Sequence, residues 1–404
     1  MVNINIKLLK YYRRESVRLC TISTGDRVYR YEKSIVAFFA GKRKVLSTSV
    51  YNGGYHENYR AVFNHDAKTG AGMPCEKLAP TYTEHMRIVA ERLGLNPDET
   101  TGMGTAADME NAVVESLSYK ELTVTAVVTG GIETNGGRAG DPADYYAPLE
   151  KPDRPGTINI MLFLDSDMPA GTLARALVTC TEAKTAAIQE LMEGSHYSNG
   201  LATGSGTDQT IIVANAESSL YLEGAGKHSK MGELIGRVVK NAVKRALGKQ
   251  SGLTPVRQHD VFRRLKRFGV TPESLWTLYR KGKETEFMIK PEFLNQMEIL
   301  GRDNFMVTWT VLLIHGIDEC LWGLLSEEET GEAAEDIMNR IVHHYRGTAA
   351  FSLPLAKKTP EDLIEAWKHM FLFIIENKSA DDESLQPDDN HSIESLSSSG
   401  LGKH

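Results

Sequence analysis

The sequence has little of what marks secreted, membrane or nucleic-acid-binding proteins. Its four cysteines are far apart and form no C-x-x-C pair, so we expect reduced thiols rather than a disulfide framework or a zinc ribbon. The longest apolar runs, 309–317 and 370–375, are far shorter than the roughly 20 residues of a membrane span. The net charge of −7 argues against a dedicated nucleic-acid binder. These absences predict a cytoplasmic protein with no metal site and with neither nucleic acid nor membrane as partner; the oligomeric state stays open.

The first 250 residues alternate between strand-like and helix-like segments. Short β-rich runs separated by glycine turns over 17–50 predict an antiparallel meander. Apolar, β-branched runs at 122–128, 157–164 and 210–214 predict buried strands. Helical spacing of apolar residues appears at 80–93, 173–192 and 229–247. This order predicts an α/β domain over residues 1–250, built as a layered α/β sandwich.

The character of the chain changes after Gln250. Residues 254–376 read as mostly helical and carry all four tryptophans, which predicts a helical domain of unknown role over 251–377. Residues 378–404 are rich in Ser, Asp and Glu and have few bulky apolar groups. Because such a segment cannot offset its ordering entropy, we expect a disordered tail there.

A loop at 202–208 alternates glycine with small hydroxyl residues and precedes a predicted strand. Such a loop exposes backbone N–H groups that can hold a carboxylate, a phosphate or a developing oxyanion. The alternative is a tight turn with local hydrogen bonds. The candidate residues of this loop are Gly204, Ser205, Gly206, Thr207 and Asp208.

A second glycine-rich segment, 130–142, follows a predicted buried strand. Glycines permit close approach of backbone to a ligand, and Asn135, Arg138 and Asp141 add an amide, a cation and a carboxylate. Loops at the edge of a sheet are where α/β proteins usually bind ligands. The segment therefore predicts a ligand site, and a solvated turn is the alternative interpretation.

Residues 226–230 open a predicted helix that Ser229 can cap. The segment fails the phosphate-binding P-loop pattern, since residue 221 is Tyr and Lys227 is followed by His228. A histidine at a helix N-terminus has its pKa lowered, which favours the neutral base. The alternative is a capping motif with a surface histidine. Lys184, on a helix face with two threonines, either reaches a site or forms a surface pair, and the Asn64–His65 pair has either a site or a structural role.

Taken in order, these segments resemble the adenosylcobinamide amidohydrolases, the CbiZ family. The matching segments are 52–54, 64–65, 105–107 with Met109 and Asn111, 134–142, 156–160, 181–185 with 189–190, 197–198, 202–208 and 226–236. The resemblance covers about residues 15–250. It implies hydrolysis of the amide that joins the aminopropanol arm to the corrin ring of adenosylcobinamide. The product would be adenosylcobyric acid, as in archaeal and some bacterial corrinoid salvage, with the corrinoid as small-molecule substrate and no further cofactor.

A fainter similarity links the pattern around Gly156–Thr157 to ornithine acetyltransferase-type enzymes. Those enzymes cleave themselves at a threonine that becomes an N-terminal nucleophile. The similarity implies an α-β-β-α sandwich with Thr157 as the nucleophile, although likeness of fold alone does not transfer mechanism.

Amide hydrolysis needs a nucleophile, donors for the oxyanion and an acid for the leaving amine. We expect His228 to act as acid and base, oriented by Asp208 or Glu182, and the backbone around 204–206 to hold the oxyanion. Attack would come from water or from a hydroxyl of Thr157, Thr203, Ser205 or Thr207.

The remaining candidates would bind substrate: Asn135, Arg138, Asp141, Gly204, Ser205, Gly206, Lys184, Lys227, Asn64 and His65. Two other classes stay open. One is a corrinoid-binding module without chemistry, against which the lack of a D-x-H-x-x-G signature counts. The other is an acyltransferase that passes the acyl group to an amine.

Overall fold

The computed structural model describes residues 16–68, 75, 77–143, 146, 156–281, 288–347 and 358–377. The chain forms two compact units, Met1–Gln258 and His259–His404. The expected tail at 378–404 lies outside the described residues, as does much of the loop before residue 156. The first unit continues past residue 250 because Leu253 is buried in its core.

The first sheet follows the predicted meander only through three strands. It has the order β1-β2-β3-β6-β7, with β6 and β7 parallel and the other pairs antiparallel. Its strands are β1 (Val17–Thr21), β2 (Arg27–Arg30), β3 (Ser34–Phe38), β6 (Ala61–Asp66) and β7 (Thr100–Thr105).

The expectation that the meander continues to residue 50 is wrong, because β4 (Arg43–Ser47) joins the second sheet. Arg43 and Asp26 form a buried ion pair between β4 and the turn before β2, with Nη2 and Oδ1 2.8 Å apart. That pair fixes the crossover of the chain from one sheet to the other.

The second sheet has six strands in the order β5-β4-β13-β11-β9-β8, and only β11 and β13 are parallel. The further strands are β5 (Gly54–His56), β8 (Val113–Tyr119), β9 (Leu122–Gly131), β11 (Thr157–Leu164) and β13 (Gln209–Asn215). The predicted strands at 122–128, 157–164 and 210–214 are thus confirmed. Two short strands, β10 (Gly136–Gly137) and β12 (Gly204–Ser205), pair separately.

The two sheets stack face to face between helices. Along β11, Ile160 and Leu162 pack against α2 (Ala170–Glu190) and α3 (Lys230–Ser251), while Met161 and Phe163 pack against the first sheet. On the far side, α1 (Tyr82–Arg92) covers the first sheet with Met86, Val89 and Ala90. The first unit is therefore a layered α/β sandwich, as the sequence predicted, with the α-β-β-α order of layers that the fainter similarity implied.

The second unit is mainly helical, which confirms the prediction for this region. Its core surrounds Trp367, whose indole Nε1 donates to Thr310 Oγ1 at 3.0 Å. Its α-helices are α4 (Val261–Leu265), α5 (Pro272–Arg280), α6 (Lys290–Gly301), α7 (Asn304–Leu321), α8 (Glu327–Arg346) and α9 (Pro360–Glu376). Across the described ranges, no helix combines the length and apolarity that crossing a membrane requires.

Candidate active site

A cavity of about 560 Å³ opens in the first unit where the two glycine-rich loops meet α2. The sequence-predicted residues that line it are Asn135, Arg138, Asp141, Lys184, Gly204, Ser205, Gly206 and Thr207. The fold therefore gathers three segments that are separated by up to about 70 positions in the chain. Thr203, another of the predicted hydroxyl groups, lines the same cavity.

The two glycine-rich loops are joined by a short antiparallel ladder between β10 and β12. Gly136 pairs with Ser205, and Gly137 pairs with Gly204. A Cβ on Gly204 would collide with the Asp208 carboxylate and the Lys184 ammonium. A side chain at this position would have to displace that ion pair, because the backbone passes directly against it.

Asp208 is the centre of the polar contacts beside the cavity. Its Oδ2 forms an ion pair with Lys184 Nζ and accepts a hydrogen bond from the Ser205 backbone N–H at 3.0 Å. Its Oδ1 accepts from Ser205 Oγ at 2.7 Å and from the Ile158 backbone N–H at 2.9 Å. The two charged side chains are only 11–12% exposed. One carboxylate thus fixes the loop 202–208 to both α2 and the start of β11.

The predicted backbone cradle of this loop already uses two of its donors internally. The Ser205 N–H binds Asp208, and the Thr207 N–H donates to Ser205 Oγ at 3.2 Å. Those two donors are therefore engaged in the loop's own turn. The tight-turn alternative describes them better than the oxyanion role does.

Two side-chain donors meet instead on the carbonyl oxygen of Gly156. Asn135 Nδ2 donates to it at 2.6 Å and Thr207 Oγ1 donates to it at 2.8 Å. The next residue, Thr157, is 3% exposed and donates from Oγ1 to the Thr207 carbonyl at 2.6 Å. Asn135 and Thr207 line the cavity. Thr157 lies behind Thr207 rather than in the lining.

Asp141 closes one side of the cavity through its own hydrogen bonds. Its Oδ2 accepts from Ser195 Oγ at 2.6 Å and from the Arg138 backbone N–H at 2.9 Å. Burial raises the pKa of Asp141, but the hydrogen bonds from Ser195 and Ser198 and the Arg138 charge outweigh it, so the pKa lies below its usual value. Asp141 is therefore a carboxylate at neutral pH. The role of Ser195 was missed, because nothing in its local sequence signals a partner 54 positions away.

The structure does not bring His228 to this cavity. Its side chain is exposed on the turn before α3, where Ser229 caps the helix by accepting from the Gly232 N–H at 3.1 Å. Within the described part of the chain, neither Asp208 nor Glu182 hydrogen-bonds to His228. The expected orientation of His228 by either carboxylate is therefore not formed, because Asp208 binds Lys184 and Ser205 while Glu182 pairs with Lys227.

Glu182, which is two residues before Lys184 on α2, forms a separate pair with Lys227. Lys227 Nζ lies 3.0 Å from Glu182 Oε2, and both side chains are about half exposed. They line a second cavity of about 680 Å³ beside α3. The predicted residues are thus divided between two adjoining cavities, whose linings share Thr181 and Thr185 of α2.

Asn64 and His65 lie on opposite faces of β6, and neither lines the first cavity. Asn64 is 2% exposed between the sheets, where it donates to Thr129 Oγ1 at 2.8 Å. His65 faces α1 and hydrogen-bonds through Nδ1 to Ser34 Oγ at 2.8 Å. Burial, assisted by the neighbouring His85 and other cationic groups, lowers the pKa of His65 to about 3. The structure gives both residues internal partners in place of the expected ligand.

Asn159 connects Asn64 to the start of β11. Its Nδ2 donates to Asn64 Oδ1 at 2.7 Å and to the Gly104 carbonyl at 3.0 Å. Its Oδ1 lies 3.4 Å from Thr157 Oγ1. The sequence carried a signal for this residue, because an amide within the otherwise apolar run 158–164 needs a buried partner.

Comparison with known proteins matches the first unit. The family model for adenosylcobinamide amidohydrolase matches residues 19–255. An uncharacterised protein of Methanocaldococcus jannaschii is 32% identical over 238 residues, which cover 56% of this chain and 89% of that protein. A crystal structure from Pyrococcus horikoshii aligns with 63% of this chain and 92% of its own at 13% identity, but its TM-score of 0.28 supports no argument about the fold.

Proposed function

This chain belongs to the adenosylcobinamide amidohydrolase family, and from that premise we propose that it hydrolyses the amide linking the aminopropanol arm to the corrin ring. The products are adenosylcobyric acid and aminopropanol. The family match ends at residue 255, so we assign this reaction to the first unit and no role to the second.

The observation that carries the proposal is the cavity built from the two glycine-rich loops. Its volume of about 560 Å³ lies within the range of small-molecule sites, about 300–1,000 Å³. An adenosylated corrin ring is larger than a drug-sized ligand, so the arm with its amide enters while the ring stays at the mouth. Arg138 and Tyr197 in the lining can donate hydrogen bonds to the amide carbonyls on the corrin periphery.

The chemistry needs donors placed where the amide oxygen becomes negative. Asn135 Nδ2 and Thr207 Oγ1 already converge on one carbonyl oxygen, that of Gly156, at 2.6 and 2.8 Å. Side-chain donors that converge in this way can stabilise an oxyanion, and one such donor contributes about 10²–10³-fold to the rate. We assign this pair, in place of the backbone of 204–206, as the oxyanion donors once the Gly156 carbonyl no longer occupies them. Attack then falls to a hydroxyl beside them or to water.

The test is incubation of the pure protein with adenosylcobinamide, followed by mass spectrometry of corrinoids and amines. We expect conversion to adenosylcobyric acid with one equivalent of aminopropanol released. Corrinoid binding without turnover would contradict the proposal and indicate a binding module. Product that forms only when an amine is added would indicate a transferase.

A matched pair of variants tests which cavity is used. Arg138→Met removes a cation from the first cavity, and we expect KM to rise with little change in kcat. Arg237→Met removes a cation from the second cavity, and we expect its kinetics to match the unmodified protein. The opposite pattern would move the substrate site to the second cavity.

A further inference from the structure

The carbonyl oxygen of the peptide bond between Gly156 and Thr157 accepts two hydrogen bonds, as the oxygen of a reacting amide does in an enzyme. The donors are Asn135 Nδ2 and Thr207 Oγ1, two side chains from different loops. One donor is enough to satisfy a buried carbonyl. Two donors at 2.6 and 2.8 Å match the arrangement that stabilises a tetrahedral oxyanion.

A hydroxyl nucleophile follows directly on that carbonyl. Thr157 Oγ1 belongs to the residue that supplies the nitrogen of the same peptide bond, so its attack on the Gly156 carbonyl carbon closes a five-membered ring. The hydroxyl is buried and its direction is fixed by donation to the Thr207 carbonyl at 2.6 Å. Asp208 Oδ1 holds the next backbone N–H, that of Ile158, at 2.9 Å. Carbonyl and nucleophile are therefore both immobilised.

Gly156 is the residue that this geometry requires. Its φ is +152°. A Cβ at this position would collide with the Asn135 side chain and lie 2.9 Å from the Gly131 carbonyl oxygen. A larger residue would push the carbonyl away from its two donors.

We propose that the chain cleaves itself between Gly156 and Thr157. Thr157 Oγ1 attacks the Gly156 carbonyl carbon, and Asn135 and Thr207 stabilise the negative oxygen. The C–N bond breaks and the hydroxyl proton ends on the departing nitrogen, leaving an ester between Gly156 and Oγ1. Water then hydrolyses the ester, which restores the Thr157 hydroxyl and leaves a carboxylate on Gly156 and a free α-amine on Thr157.

The cut would prepare the cavity for substrate, and this consequence rests on the proposed function. Once the Gly156 carbonyl leaves, Asn135 Nδ2 and Thr207 Oγ1 can donate to the oxygen of a substrate amide instead. Thr157 then carries a hydroxyl with its own α-amine as the adjacent base, a known way to activate threonine. The site that cuts the chain becomes the site that cuts the substrate.

The experiment is intact-mass spectrometry of the purified full chain during incubation in buffer. We expect two fragments whose masses sum to the chain plus one water, and N-terminal sequencing of the second should begin at Thr157. Hydroxylamine, which traps esters, should speed the cut. The Thr157→Ser variant should still cleave itself, and the Thr157→Val variant should remain uncleaved. The Thr207→Val variant should cleave itself about 10²–10³-fold more slowly.

Thr179→Val is the matched control. Thr179 is also a buried threonine that donates to a backbone carbonyl, that of Ala225 at 2.7 Å, but it lies away from Gly156. We expect the Thr179→Val variant to cleave itself at the same rate as the unmodified chain. Circular dichroism of each variant separates loss of cleavage from loss of fold.

Three results would overturn the inference: an unmodified chain that stays at full mass, a second fragment with another first residue, or cleavage of Thr157→Val. The last would reveal a foreign protease. A chain that cuts itself but leaves adenosylcobinamide intact would contradict only the proposed function. An uncut chain that hydrolyses adenosylcobinamide would contradict self-cleavage and the assignment of Asn135 and Thr207 as oxyanion donors, but not the proposed reaction itself.

Discussion

The Lys184–Asp208 ion pair should be the main electrostatic support of the cavity wall. Replacing Lys184 with Met keeps most of the aliphatic stem and removes the charge. Asp208 keeps its hydrogen bonds from Ser205 and Ile158, but its charge then has no counter-ion. We expect the loop 202–208 to loosen and the first unit to lose stability.

The magnitude follows from burial. Removing one partner of a buried ion pair costs about 3–5 kcal/mol, because the other charge stays desolvated. Lys184 and Asp208 retain 12% and 11% exposure, so we expect the lower end, about 3 kcal/mol. Asp208→Asn should cost a similar amount. The double variant should cost about 1–3 kcal/mol less than the sum of the two, which is the coupling expected for contacting charges.

The assay is denaturant unfolding of the full chain, followed by far-ultraviolet circular dichroism and by tryptophan fluorescence. All four tryptophans lie beyond residue 258, so fluorescence reports the second unit and should not shift in these variants. An unfolding transition that appears in circular dichroism but not in tryptophan fluorescence therefore reports the first unit. A shift below about 1 kcal/mol for Lys184→Met, or strict additivity in the double variant, would refute the assignment of this pair as a support.

Other predictions concern residues away from that pair. His228→Ala should leave adenosylcobinamide turnover within about twofold in steady-state assays, since the side chain is exposed outside the cavity lining; a 100-fold loss would restore its expected role as acid and base. Arg43→Met should destabilise the first unit by about 3–5 kcal/mol in the same unfolding assay, because it leaves Asp26 buried without a counter-ion; a loss under 1 kcal/mol would contradict this. The pKa of His65 is lowered to about 3, so the unfolded state binds its proton first as the pH falls. The contribution of neutral His65 to stability is therefore complete above about pH 6.5. As the pH falls from there toward 3, the free energy of unfolding decreases by up to about 1.4 kcal/mol per pH unit. His65→Asn should flatten that dependence in unfolding curves from pH 7 to pH 5, and an unchanged slope would count against it.

Local sequence was sufficient for the central elements of the fold. The run 157–164 is continuously apolar apart from two polar positions near its start, which is typical of a strand buried on both faces. Its bounds match β11. The two-residue strands β10 and β12 could not be predicted, since neither Gly136–Gly137 nor Gly204–Ser205 has a strand pattern of its own. Their pairing depends on the sheets bringing the two loops together.

His228 shows the limit of reading a site from one segment. The helix start and its Ser229 cap were predicted correctly, because capping depends on a few adjacent residues. The direction in which the helix start faces depends on how α3 packs against the second sheet. That packing places Lys227 beside Glu182 instead of beside Asp208. Local chemistry therefore identified a plausible base but could not assign it to a cavity.

The polar start of β11 links the fold to the proposed chemistry. Thr157 and Asn159 share the face of β11 that meets the first sheet, where Met161 and Phe163 continue as apolar core. Polar groups in such a layer destabilise the fold unless they bind each other, and Asn159 satisfies that need through Asn64. This anchoring does not involve Gly156. Breaking the bond before Thr157 would therefore leave β11 in register, with the new amine and the hydroxyl at the position that the intact chain defines.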